Sequence, residues 1–145
     1  MSIQPKAMEN SVHEEIARLC AAGDALAEQG RYEEAVGEYN KAWKLVPDPK
    51  QDWNASTWIL AAIGDACFLA GKRTSARQAF EYSMACPGGL GNPFLHLRLG
   101  QILFDQDELD TAADELIRAY MGAGEEIFEN ENPRYFAFLK TRATL

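Results

Sequence analysis

The chain has little of what catalysis, metal binding or membrane insertion requires. It carries two histidines and three cysteines. No CxxC, HExxH or GxGxxG occurs, so the spacings that hold zinc, arm a metalloprotease or cradle a dinucleotide are missing. Gly88, Gly89 and Gly91 lack the Lys-Ser/Thr that completes a phosphate loop. No apolar run reaches the ~18–20 residues of a membrane span. The nearest, Trp58 to Ala70, is interrupted by Asp65. The first residues, MSIQPKAMENSVHEE, lack the apolar core of a signal peptide. Cys20, Cys67 and Cys86 are odd in number and unrelated in spacing, which points to reduced thiols. These absences predict a cytoplasmic protein that is not an enzyme and has no catalytic residue, cofactor or metal.

Positive charge is also scarce. Fourteen Lys and Arg stand against 22 Asp and Glu, a net charge of −8. That balance repels nucleic-acid phosphates and anionic membranes, so neither is an expected partner. It favours solubility and speeds encounter with a basic protein. A length of 145 residues with 47% apolar content is enough for one domain with a real core.

What the sequence does contain is a repeat. Gly23, Gly64 and Gly100 each follow an apolar residue: Ala22, Ile63 and Leu99. Three residues earlier stand Leu19, Leu60 and His96, and three after each glycine stand Leu26, Cys67 and Leu103. Further on come alanines (Ala35, Ala76, Ala112), then large apolar residues (Tyr39, Phe80, Leu116), then small ones (Ala42, Ser83, Ala119). Pro47, Gly88 and Gly124 close the units. Glycine facing alanine lets two helices approach closely, and the large residue fills the space beside the contact. Each helix pair leaves an apolar face that its neighbour must cover.

This pattern resembles the tetratricopeptide repeat (TPR), over about residues 12–124. The resemblance implies an all-α, TPR-like superhelical solenoid of three helix-turn-helix repeats plus C-terminal capping helices. The units fall at 11–48, 49–88 and 92–124, after a disordered 1–10 and before a capping segment at 125–145. Helices are expected at about 12–29, 31–46, 50–70, 72–86, 93–106 and 108–122, with short ones near 124–130 and 132–142. Ser11 and Glu14 form a capping box for the first. Asp48 and Pro49 start the third, extended by up to two turns through PKQDWNAS. Gly30, Gly71 and Asp107 end the first helix of each pair with positive φ. Asn92 and Asn132 cap the helices that follow them. Ile127, Phe128, Tyr135, Phe136, Phe138 and Leu139 cover the last repeat.

The same resemblance implies a concave groove lined by the first helix of each pair. Its positions are Ala17, Cys20, Ala21, Asp24, Ala27 and Glu28; Trp58, Ala61, Ala62, Asp65, Phe68 and Leu69; then Phe94, Leu97, Arg98, Gln101, Phe104 and Asp105. Helical spacing puts each set on one stripe. Of these, Asp24, Glu28, Trp58, Asp65, Phe68, Leu69, Phe94, Leu97, Arg98, Gln101, Phe104 and Asp105 are the candidate partner-binding residues. Aromatics are typical interface anchors, and the acids suit a segment offering Lys or Arg beside apolar side chains. The alternative is that the extended third helix or the C-terminal tail folds into the groove. Cys20 reads as a small apolar filler, His96 as a half-buried structural residue and His13 as solvated. The carboxylate clamp of TPR co-chaperones places Lys, Asn, Asn, Lys and Arg at the positions of Cys20, Asp24, Ala62, Phe94 and Arg98. Only Arg98 agrees, so chaperone-tail capture by that clamp is not expected.

CPGGLGNPFLHLRLGQILFD, AYMGAGEEIF and PRYFAFLK also resemble small bacterial repeat proteins of polymorphic, Rhs-type toxin loci. That resemblance implies an immunity protein that neutralises a cognate toxin through a protein or peptide interface. A secretion or assembly chaperone, or an adaptor scaffold, is the alternative. Self-association through exposed solenoid ends is open.

Overall fold

A computed structural model describes residues 8–145 of the chain. Among the described residues seven α-helices run in order: α1 Asn10–Glu28, α2 Tyr32–Leu45, α3 Asn54–Leu69, α4 Arg73–Met84, α5 Pro93–Asp105, α6 Leu109–Ala123 and α7 Pro133–Arg142. Single 3-10 turns lie at Lys50–Asp52 and Glu125–Phe128. Helices α1/α2, α3/α4 and α5/α6 pair as hairpins, and α2 against α3 and α4 against α5 stack one hairpin on the next. Among the described residues, no helix is long and apolar enough to cross a membrane.

The repeat positions make the hairpin contacts. A Cβ placed on Gly23 would lie 2.5 Å from the Tyr39 ring, one on Gly64 would lie 2.8 Å from Phe80, and one on Gly100 would lie 2.7 Å from Leu116. Ala35, Ala42, Ala76, Ala112 and Ala119 are fully buried beside them. Each first helix ends in the same way. Gly30, Gly71 and Asp107 have φ of 76°, 81° and 63°. The N–H of the next residue then reaches back to a helix carbonyl: Arg31 to Leu26, Lys72 to Cys67 and Glu108 to Leu103, at 2.8–2.9 Å.

Two local expectations are corrected. Helix α1 starts at Asn10, and its N-cap, Glu9, makes no side-chain cap bond, so the Ser11–Glu14 capping box does not form. The disorder expected over 1–10 lies outside the described residues for 1–7; Met8, the first described residue, packs on the first core cluster. Second, α3 is not extended. Trp53 is in an extended conformation before it, and residues 49–53 fold back on the end of α2 while Asn54 to Ser56 begin α3. There Lys50 Nζ donates to the Trp43 and Val46 carbonyls at 2.7 Å, and Trp53 Nε1 donates to the Pro47 carbonyl at 2.8 Å. Those bonds satisfy carbonyls in and just beyond the last turn of α2, an alternative to helix that the unit's apolar periodicity does not register.

The CPGGLGNP loop is pinned rather than loose. Thr57 Oγ1 donates to the Pro87 carbonyl at 2.6 Å, and Ser83 Oγ donates to the Thr57 carbonyl at 2.8 Å. Asn92 caps α5 through Phe94 N–H, and Asn132 caps α7 through Arg134 N–H. His96 is fully buried, not half-buried as expected. Its Nε2 accepts from Gly91 N–H at 3.0 Å, and its Nδ1 lies 2.5 Å from Glu115 of α6. An Nε2 that accepts bears no proton, so the proton sits on Nδ1 and faces Glu115. At the C-terminal end, Phe128 and Leu139 bury against Leu97, Leu116 and Ala119, which covers the last hairpin.

Two glycine substitutions separate steric need from helix propensity. A Cβ at Gly89 would sit 2.1 Å from the Ser83 carbonyl oxygen, whereas one at Gly37 of α2 would meet nothing within 4 Å. Urea denaturation is expected to show Gly89→Ala destabilised by about 3 kcal/mol and Gly37→Ala stabilised by roughly 0.5–1 kcal/mol.

Candidate functional site

A cleft of ≈ 430 Å³ opens on the concave side between α1, α3 and the start of α5. Its floor is made of small residues, Ala27, Ala61, Ala62 and Ala66, which keep the helices close and the surface low. Larger residues rise at the edges. Trp58 is 65% exposed and Leu69 is 48% exposed, high values for apolar side chains, while Phe94 is half-buried. Asp24, Glu28 and Asp65 add three carboxylates, and among the described residues no Lys, Arg or His lines the cleft.

The carboxylates differ in what holds them. Asp24 accepts from the Tyr39 hydroxyl at 2.6 Å. Burial, and after it this hydrogen bond, push the Tyr39 phenol well above its ordinary value. Asp65 accepts from Arg98 Nε at 2.7 Å. Among the described residues Glu28 is paired with no cation. Cys20 lies at the edge of α1, half-buried, and burial followed by the Asp24 charge pushes its thiol up; burial does the same to Cys67 and Cys86. None of the three thiols is paired with another.

The third-repeat half of the expected stripe is not open. Leu97, Arg98 and Gln101 are buried, at 2%, 8% and 0% exposure, which corrects their reading as surface positions. The reason lies in the C-terminal segment. Glu131 accepts from Arg98 Nη1 at 2.5 Å and from Gln101 Nε2 at 2.9 Å. The Arg98 guanidinium lies over the rings of Phe68 and Phe94, at 4.8 and 5.0 Å. Phe104 packs against Tyr135 and Phe138 of α7, with centroids 5.6 and 4.9 Å apart. Asp105 accepts from Arg73 at 2.7 Å, Arg134 at 2.8 Å and Tyr135 Oη at 2.9 Å, so its charge is compensated within the chain. Of the two foldings-in considered from the sequence, the C-terminal tail is the one present, and it takes the third repeat only.

The structure thus brings Asp24, Glu28, Trp58, Asp65, Leu69 and Phe94 together around one opening, leaves Phe68 beneath Arg98 and Arg73 outside its lining, buries Leu97, Arg98 and Gln101, and half-buries Phe104 and Asp105 under α7. Sequence reasoning missed Tyr39, whose ring is a core filler but whose hydroxyl reaches the cleft, and Glu131. A hydroxylated aromatic one helix away from an acid was a signal for the first. Nothing in the tail's sequence singled out Glu131 from its acidic neighbours.

No protein-family model matches the chain, and no curated protein sequence does. Solved structures do resemble it. The type III secretion chaperone SycD of Yersinia enterocolitica, in complex with a peptide of the translocator YopD, matches with TM-score 0.69 and 16% identity over 88% of this chain and 92% of that one. PcrH, in complex with the chaperone binding region of PopD, matches with TM-score 0.68 and 17% identity over 95% and 96%. The first TPR of Spaghetti (RPAP3), bound to the HSP90 peptide SRMEEVD, matches with TM-score 0.66 and 20% identity over 88% and 92%. The fold is therefore an all-α TPR-type solenoid.

Tyr39 links core to cleft and has a pH signature. Its pKa is raised by folding, so the stability it contributes is complete below the free tyrosine value, about 10, and is lost as pH rises through the folded value. Tyr39→Phe is expected to cost about 1–2 kcal/mol at neutral pH, for the bond to Asp24. The variant should then lose less stability than wild type between neutral pH and about pH 11, as read by urea denaturation at the two pH values.

Proposed function

We propose that this protein is a non-catalytic binding module that holds a segment of one dedicated protein partner in the cleft between α1 and α3. The observation that carries this reading is the exposure of Trp58 and Leu69 around an alanine floor, with three carboxylates and, among the described residues, no cation in the lining. Exposed aromatics over a concave apolar floor are where binding energy concentrates. The acids select a segment that offers Lys or Arg beside apolar side chains, and they speed its encounter. Heat-shock tails are poor candidates, because Arg98 is already bound to Asp65 and Glu131 and Asp24 would repel a terminal carboxylate.

The chaperone reading gains support from SycD and PcrH, which share the fold and were solved holding segments of YopD and PopD. We therefore place a cytoplasmic secretion or assembly chaperone first. Immunity against a cognate toxin stands second, on the sequence resemblance of the CPGGLGNP-to-tail region and on the acidic charge that suits a basic toxin domain.

Affinity capture with mass spectrometry tests the site. A partner held by wild type should be retained at least about tenfold less by Trp58→Ala and by Glu28→Lys. Equal capture by both variants would remove the cleft from consideration. Co-expression with the captured partner separates the roles: a gain in its solubility supports the chaperone, and rescue of growth from its toxicity supports immunity.

A further inference from the structure

The charge of the cleft wall is not set by the cleft's own residues alone. Arg98 is bonded to Asp65 in the lining. With Asp65 alone it would form a neutral pair. Glu131, brought over from the segment between the last 3-10 turn and α7, bonds the opposite side of the same guanidinium. Two carboxylates on one guanidinium leave the cluster at −1. The Arg98 side chain is 9% exposed and that of Glu131 is 18% exposed, so this charge is poorly screened by solvent. Asp24 and Glu28 stand on the facing helix with the same sign.

We propose that Glu131 is a specificity-determining residue of the cleft: by overcompensating Arg98 it makes the site select a cationic apolar segment and reject an anionic one. The same segment sets how far a ligand runs. Tyr135 and Phe138 cover Phe104, and Leu97 lies beneath Phe128 and Leu139, so an occupant ends near Phe94 and spans two repeats rather than three. The proposal rests on the cleft being the binding site, and the Trp58 arm below tests that separately.

The probes are a fluorescein-labelled peptide of about ten residues built from Lys, Leu and Ala, and its counterpart with Glu in place of Lys, a length that spans such a cleft when extended. Fluorescence anisotropy at low salt should show wild type preferring the Lys peptide by about tenfold or more, and Trp58→Ala should weaken its binding by about tenfold. Glu131→Gln keeps an oxygen for Arg98 and Gln101 but removes the charge, and should reduce the preference by at least about threefold. Glu131→Asp should retain it, as should Asp110→Asn, which removes one exposed carboxylate from α6 and controls for net charge. Circular dichroism melting confirms that each variant is folded. A preference that depends on Trp58 but is unchanged in Glu131→Gln, or that Asp110→Asn reduces equally, overturns the role of Glu131 alone. Absence of any Trp58-dependent binding overturns the cleft reading and this proposal with it.

Discussion

Every hairpin in this solenoid closes on a contact where a glycine leaves out its side chain and the partner helix fills the gap. The ring of Tyr39 occupies the space at Gly23, Phe80 that at Gly64 and Leu116 that at Gly100, each with almost no exposure. Interiors are packed too densely for such a gap to stay empty or for an added methyl to enter without displacement. Helix spacing within a hairpin follows from this, and so does the angle at which the next hairpin is met. In the first unit the filler is a tyrosine, whose hydroxyl reaches Asp24 at the cleft. One side chain thereby couples the spacing of α1 and α2 to the position of a surface carboxylate.

A stack of hairpins has an apolar face left at each end. Here the C-terminal face is met by Phe128 and Leu139, and the chain then turns inward over the concave side of α5. The cover is apolar at Phe104 and polar at Arg98 and Asp105, where Glu131 bonds Arg98 and Arg134 and Tyr135 bond Asp105. Buried ions without partners are costly, so a covered Arg98 demands such company. The same cover leaves the first two repeats open. The polarity of what they present to a partner is therefore shaped by residues more than thirty positions away in sequence.

The repeat was legible because its physics is local and recurs. Glycine, alanine and a large residue at fixed intervals state the packing three times, and Gly30, Gly71 and Asp107 state where the first helices stop. The departures came where one local bonding option displaced another. Lys50 found the Trp43 and Val46 carbonyls at the end of α2, and Trp53 the Pro47 carbonyl just beyond it, so the insertion became a folded-back turn instead of more helix. The capping box at Ser11 and Glu14 gave way to a helix already running from Asn10.

From the sequence alone came the all-helical class, the three helix pairs, the caps at Asn92 and Asn132 and the shared face of Trp58 and Asp65 on α3, since periodicity within one helix assigns a residue to a face. Which faces stay uncovered was decided only in the tertiary structure. Leu97, Arg98, Gln101, Phe104 and Asp105 carry the same helical phase as their exposed counterparts, and the tail's place over them depends on contacts between distant segments. Burial is a property of what arrives from elsewhere in the chain, and phase along one helix holds no record of it.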